Sequence, residues 1–144
     1  MRGLLASAFL SLAFAMPALA QDWSFIAPLT AQVLDVQPGD QPPMLFSDHP
    51  DPAVARHSVI FHYFDSRSGG NSFGLNVGLF RRMNEGWVFA QLLEIYGVTP
   101  RDGRFTEELF EVTTTTLGPN EPRCCPTQTT KWVVDLRNGQ TYRQ

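Results

Sequence analysis

Two adjacent cysteines, Cys124 and Cys125, are the side chains of this sequence best suited to unusual chemistry, and they are its only cysteines. A trans peptide holds neighbouring Cα atoms about 3.8 Å apart, which is shorter than the usual disulfide span of roughly 4.4–6.8 Å. A bond between the two would therefore strain the peptide and would be easier to reduce than an ordinary structural bridge. Because it would close almost no loop, its use would be local: it would fix a bend and present sulfur at the surface.

The state of this cysteine pair depends on the compartment, and four states stay open. They are a vicinal disulfide, two reduced thiols, a bridge to another chain, and a soft-metal site such as Cu(I) on two thiolates. A dithiol oxidoreductase is disfavoured because the sequence has no Cys-x-x-Cys pair at the start of a helix. We expect the disulfide between Cys124 and Cys125, since the N-terminus, considered below, predicts export.

The residues around the cysteines predict a rigid loop, residues 118–126, called the Cys-Cys loop here. Pro119 and Pro122 fix their own φ angles, and Pro126 biases the residue before it towards an extended conformation. A side chain within the loop is then able to accept backbone N–H groups across the bend, and Asn120 and Glu121 are the two candidates. Loops held on a rigid scaffold often carry recognition. The candidate binding residues are Asn120, Glu121, Arg123, Cys124 and Cys125.

The stretch at 118–128, Gly-Pro-Asn-Glu-Pro-Arg-Cys-Cys-Pro-Thr-Gln, resembles a loop in a family of small secreted bacterial proteins. Those proteins carry Gly-Pro-Asn-acid-Pro-x-Cys-Cys-Pro-(Ser/Thr)-Gln between their last strands, and LppP/LprE-type lipoproteins have a similar loop. The resemblance covers residues 73–142. It departs upstream, where many such proteins have acidic, glycine-rich repeats and this chain has Asp-Ser-Arg-Ser-Gly-Gly at 65–70. The resemblance implies secretion and a related fold, and it implies no activity.

No pattern in the sequence predicts catalysis or a metal centre. His57 and His62 are an odd number of positions apart, so in a strand they face opposite sides and cannot share a metal. No His, Asp and Glu cluster has zinc spacing, and Asp48, Asp51 and Asp65 lack the pattern of a calcium loop. The Gly-x-Ser-x-Gly, Ser-x-x-Lys and phosphate-loop motifs are missing as well. We expect no catalytic residue, no metal and no cofactor, and the sequence favours a protein that is not an enzyme.

The first 20 of the 144 residues predict a signal peptide. Met1 and Arg2 form a positive start, residues 3–16 carry no charge, and Ala18-Leu19-Ala20 gives a small-x-small cleavage pattern. The apolar run is shorter than the ~20 residues that span a bilayer, and no later stretch is long enough. We therefore expect a periplasmic or secreted protein without a membrane span.

The net charge of the chain is −3, and removing residues 1–20 would take away one arginine and no acid. An acidic balance gives no support for nucleic-acid binding, which needs a basic face. The expected partner is an unknown envelope component or a small ligand.

Residues 21–55 predict an N-terminal arm. A short helix is expected to begin at Pro28 and to run through Leu34 or Val36, because Leu29, Val33 and Val36 fall on one stripe. An irregular or extended arm is the alternative for this segment. Residues 37–52 carry five prolines, which exclude a helix or an internal strand. We expect an extended loop there, anchored by the apolar residues 44–46.

Residues 56–144 predict an antiparallel β domain. Strands are expected at 58–64, 73–79, 87–95, 104–117, 129–136 and 140–143, with turns at 67–71, 83–86, 100–103 and 138–139. Gly74 and Gly78 lie on the outer face of the second strand, which indicates either that something packs closely there or that the strand bends. The fold class is therefore mainly β, an antiparallel meander of five or six strands, with α+β left open by the short N-terminal helix. We expect Trp132 on an inner face and the two sulfurs on the rim.

Overall fold

Eight strands and one short helix make up the fold in a computed structural model that describes residues 22–65 and 73–144. The predicted signal peptide and the predicted turn at 67–71 lie outside the described residues. A 3-10 turn (Ser24–Ile26) leads into α1 (Ala27–Leu34). The strands are β1 (Met44–Ser47), β2 (His57–Asp65), β3 (Phe73–Met83), β4 (Gly86–Leu92), β5 (Val98–Phe105), β6 (Leu109–Thr116), β7 (Gln128–Asp135) and β8 (Thr141–Arg143). The mainly β class is confirmed, with eight strands instead of five or six.

The strands form two four-stranded sheets in which spatial order follows chain order. Sheet A has the order β1-β2-β3-β4 and sheet B has the order β5-β6-β7-β8, and every neighbouring pair is antiparallel. Residues 93–97 carry the chain from one sheet to the other. The single predicted meander is thus two meanders, and the change of sheet lies within the predicted strand at 87–95.

The main core lies between the two sheets. Sheet A contributes every second side chain of β2 and β3 to this core, and sheet B contributes every second side chain of β6 and β7. This is the alternation that strand geometry predicts. Trp132 is 6 % exposed and lies in this core, which confirms its predicted inner position. The other fully buried members include Val59, Phe61, Leu79, Phe110, Val112 and Val134.

Helix α1 covers the opposite face of sheet A. It begins next to Pro28 and ends at Leu34, where the following residue, Asp35, takes a left-handed conformation with φ 58°. Leu34 is fully buried, and a Cβ built on Gly78 would lie 3.0 Å from its Cδ2 atom. At Gly78 the expected close packing is confirmed, since the Phe80 ring lies 2.8 Å from the same Cβ position and a side chain there would collide with both residues. No helix of the described residues is long and apolar enough to cross a membrane.

The prediction of a loop throughout 37–52 is wrong for β1. Met44–Ser47 pairs with β2 in the register Leu45↔Ile60 and forms an edge of sheet A. An edge strand needs only one side of its backbone to bond, so the prolines before and after it do not prevent pairing. The apolar anchor expected at 44–46 is therefore held by backbone hydrogen bonds to β2 as well as by side-chain packing.

The predicted turn at 100–103 is also wrong, because these residues belong to β5. Thr99 and Asp102 have positive φ angles of 53° and 58°, and the register with β6 shifts on both sides of Arg101. The Asp-Gly pair therefore makes an irregularity within a strand and not a hairpin. The reversal comes later, where Thr106 accepts and donates hydrogen bonds with Leu109, so the predicted strand at 104–117 is divided between β5 and β6.

Candidate functional site

The Cys-Cys loop joins β6 to β7 at one end of sheet B. The two strands pair antiparallel from Leu109↔Asp135 to Thr116↔Gln128, as predicted, so the loop projects from the end of a long, regular hairpin. Both Cys124 and Cys125 are exposed, which confirms that their sulfurs lie on the rim and not among the core aromatics. The scaffold therefore presents the loop to solvent.

The two cysteines form a disulfide with each other. Their Cα atoms are 3.8 Å apart, the separation that one trans peptide imposes, and there is no free cysteine. Of the four states left open by the sequence, the structure contains the vicinal disulfide. Both cysteine residues are exposed, as is the preceding residue, Arg123.

Glu121 holds the loop from inside. Its carboxylate accepts a hydrogen bond from the Gly118 N–H and another from the Thr127 N–H, each at 2.9 Å, and a third from the Thr127 hydroxyl. These donors, with the Gly118 N–H contributing most, lower the pKa of Glu121 below its usual range. Of the two candidates for this role, Glu121 performs it, while Asn120 faces solvent. A negative charge is therefore fixed across the bend.

A buried hydrogen-bond chain supports the strands below the loop. The Trp132 Nε1–H donates to the Thr114 hydroxyl at 2.8 Å, and that hydroxyl donates to the Tyr96 carbonyl at 2.7 Å. The Thr114 side chain is completely buried. Side chains alternate along β6, so Thr114 points into the core while Thr113 and Thr115 face outward. This chain connects the hairpin to the segment between the sheets.

The two histidines of β2 each lie beside an aspartate. His57 and His62 lie on opposite faces of β2, as predicted, because the inner face carries Phe61 and the outer face carries Ile60. His57 Nδ1 is 3.2 Å from Asp48 Oδ2, and His62 is fully buried with Nε2 3.2 Å from Asp40 Oδ2. Among the described residues no group of three or more His, Cys, Asp or Glu side chains could hold a metal ion.

A cleft of about 510 Å³ opens beside the ends of β2 and β5. Its walls come from residues 39–41, 63–65, 73 and 98–99, which are four separate parts of the chain. Sequence patterns did not predict it, since no short motif contains more than three of these positions. Val98 in its wall pairs with Thr115, three residues before the Cys-Cys loop begins, so the cleft and the loop lie at the same end of sheet B.

The described residues thus place two surface features at one end of the sandwich: a braced loop with two exposed sulfurs, and a polar and aromatic cleft. Neither includes a nucleophile paired with a general base in the manner of hydrolytic enzymes. The geometry suits recognition at both places. Comparisons of the chain with protein-family models, with curated proteins and with solved structures found no match.

Proposed function

We propose that this protein is a small exported binding or envelope-accessory module, not an enzyme, and that the Cys-Cys loop is its recognition surface. The observation that carries the proposal is the combination of exposure and rigidity in this loop. Cys124, Cys125 and Arg123 face solvent, while Glu121 ties the two ends of the loop together. A surface fixed before binding loses less conformational entropy when a partner attaches.

The hydrogen bonds of Glu121 indicate a positioning role within the loop. Donors from Gly118 and Thr127 lower the pKa of this carboxylate and occupy both of its oxygens. A carboxylate whose oxygens are engaged in this way orders the backbone around it. Its role is to position the loop, and the residues left to contact a partner are Asn120, Arg123, Cys124 and Cys125.

Site-specific photo-crosslinking in the organism that encodes the protein tests this proposal. A photoreactive amino acid replaces Arg123 in one variant and Asn84, which is exposed in the turn between β3 and β4, in the control. We expect the Arg123 position to give a defined adduct by intact mass, and the Asn84 position to give none. The adduct should be lost when Cys124 and Cys125 are both replaced by serine. Equal labelling from both positions, or no adduct at Arg123, would contradict a recognition role for the loop.

Export is tested on the same samples. Cleavage after Ala20 would remove residues 1–20, and the mass of protein recovered from the cell envelope or the medium reports this directly. A full-length mass, or recovery with the cytoplasmic fraction alone, would overturn the export part of the proposal.

A second candidate function uses the sulfurs themselves, in redox sensing or soft-metal binding. It is favoured by one observation, the position of both cysteines in exposed residues at the end of the hairpin, where an external reductant can approach. Two-electron reduction would add two hydrogen atoms and give two thiols able to hold Cu(I). A thiol count on freshly isolated protein distinguishes the candidates: two titratable thiols or bound copper support this one, and a closed bond without metal supports the first.

A further inference from the structure

We infer that a cavity under helix α1 binds one aliphatic chain, the hydrocarbon part of a free small molecule such as a fatty alcohol. This goes beyond recognition by the Cys-Cys loop and concerns the outer face of the other sheet. The cavity, called the α1 cavity here, has a volume of about 310 Å³, which is within the range typical of small-molecule sites. Its walls come from the turn before α1, from α1, from residues 36 and 43, and from β1 and β2.

The walls of the α1 cavity lie on one side of sheet A and face one another. Leu45 of β1 pairs with Ile60 of β2. Both side chains pack in the same apolar cluster as Ile26, from the turn before α1. The lining residues 26, 27, 30 and 31 have the spacing of neighbours on one helix face, so that face and the sheet enclose a common space.

Small side chains on the helix leave room for this cavity. Ala27 and Ala31 line it, and a larger side chain at either position would occupy part of its volume. Trp23 forms a further wall. Its indole N–H donates to the Pro50 carbonyl at 3.0 Å, and its ring meets the Trp87 ring edge-on with centroids 5.2 Å apart. The indole is therefore held in position before a ligand enters.

The described lining of the α1 cavity offers a ligand mainly carbon, and none of these residues is ionisable. Its polar side-chain groups are the Thr30 hydroxyl and the Trp23 N–H. Both already donate hydrogen bonds to carbonyls, those of Ile26 and Pro50. Burying a charge or an unpaired polar group against such walls is unfavourable, whereas each buried methylene increases affinity by about fourfold. The ligand class that matches this lining is an aliphatic chain.

The size of the α1 cavity limits the length of the chain. An apolar cavity of roughly 150 Å³ holds benzene. A cavity of about 310 Å³ is about twice as large, and so it admits an aliphatic chain of up to about twelve carbon atoms. That is enough for one chain of medium length and too little for a phospholipid with two long chains.

The residues around the α1 cavity also favour a free molecule over a membrane. Helices that bind membrane surfaces are typically rich in lysine and arginine on their polar face. Helix α1 has eight residues, and residues 21–55 contain no lysine or arginine. The occupant is therefore a dissolved single-chain molecule.

Ligand entry concerns the exported form of the protein, so in this respect the site rests on the export part of the proposed function. Cleavage after Ala20 would place the new N-terminus close to Trp23, at the edge of the α1 cavity. No long segment would then precede the residues that form the walls.

Calorimetric titration of the exported protein tests the inference, after intact mass has shown that residues 1–20 are absent. The probes are 1-hexanol, 1-heptanol and 1-octanol, with 1,8-octanediol as the matched polar ligand. We expect saturable binding of 1-octanol, with the affinity falling by about fourfold for each methylene removed. The diol should bind at least about fivefold more weakly, because one of its hydroxyl groups would be buried without a partner.

Cavity-filling substitutions then locate the site. Ala31→Leu places extra carbon within the α1 cavity, so it should weaken 1-octanol binding by about tenfold or more while Tm stays unchanged or rises. Gln32→Leu is the control, because Gln32 is exposed on the same helix and does not line the cavity. It should leave the affinity unchanged. Should Ala31→Leu fail to fold, Ala27→Leu carries the test.

Three results would overturn the inference: no saturable binding of 1-octanol below about 1 mM, equal affinity for 1-octanol and 1,8-octanediol, or equal binding by the Ala31→Leu and Gln32→Leu proteins. Cosedimentation with phosphatidylcholine vesicles that Ala31→Leu abolishes would assign the cavity to a membrane lipid and would overturn the free ligand.

The outcome is separable from the functions proposed above. A variant with both cysteines replaced by serine should bind 1-octanol as the unchanged protein does, whether or not it still yields a crosslinked partner. A full-length mass would overturn export, and titration of that full-length protein would then test the α1 cavity by the same three criteria.

Discussion

Replacing Thr114 by valine would remove one hydroxyl from the buried chain below the Cys-Cys loop. Valine has nearly the same shape, so the change leaves the packing in place and deletes the two hydrogen bonds. The Trp132 Nε1–H would lose its acceptor in a side chain only 6 % exposed. The Tyr96 carbonyl would lose its donor as well.

The unsatisfied indole N–H alone costs about 1–3 kcal/mol. For a domain of this size, that corresponds to a fall in Tm of about 4–12 °C, at roughly 4 °C per kcal/mol. Urea unfolding followed by circular dichroism measures the free energy. The control is Thr113→Val on the outer face, where we expect a change within about 0.5 kcal/mol.

A double-mutant cycle tests the mechanism. Trp132→Phe removes the donor and part of the ring, so the Thr114→Val/Trp132→Phe protein has no stranded indole N–H. We expect its loss of stability to be about 1 kcal/mol smaller than the sum of the two single losses. Strict additivity, or a Thr114→Val cost below about 0.5 kcal/mol, would refute the view that this hydrogen bond holds the base of the hairpin.

Further predictions concern the loop brace and the helix. Because the folded pKa of Glu121 is lowered, its contribution is complete above its unfolded pKa of about 4.3 and is lost as the pH falls through the folded value. The Gly118 and Thr127 amide signals should therefore titrate below pH 4.3 by NMR, and a midpoint above it would contradict the brace. Leu34→Ala should cost about 2–4 kcal/mol in urea unfolding, since Leu34 is completely buried. Gly78→Val should cost about 1–3 kcal/mol through overpacking, and less in the Leu34→Ala background; equal costs in both backgrounds would show that the helix does not press on this glycine.

Much of the fold follows from local patterns in the sequence. The alternation at 73–79 places Val77 and Leu79 in the core, and Pro28 marks the beginning of the helix. The loop prediction succeeded for a similar reason. Proline geometry and the short reach of a carboxylate act within a few residues, so the bend, the Glu121 brace and the exposed sulfurs could be inferred without knowing the rest of the fold.

The failures come from effects that act over longer distances. Strand β1 forms because β2 is available to pair with it. The prolines around β1 favoured a loop in the sequence, and no local pattern indicated the partner strand. The Asp-Gly pair at 102–103 predicted a turn, but whether such a pair makes a hairpin or an irregular strand is decided by the neighbouring β6. The cleft could not be predicted at all, because four segments of the chain meet there only after the sheets have packed.

The agreement between spatial order and chain order in both sheets has a consequence for folding. Every strand of sheet A finds its partner within the first 92 residues, so that sheet can assemble while the rest of the chain is still being synthesised. Its pairings are local and close only short loops, which favours fast formation. Before sheet B has been synthesised and has packed against sheet A, however, Val59, Phe61 and Leu79 would be exposed to water. The partly synthesised protein therefore exposes a broad apolar surface that can aggregate. The duration of this exposure depends on how fast residues 93–144 are synthesised and fold.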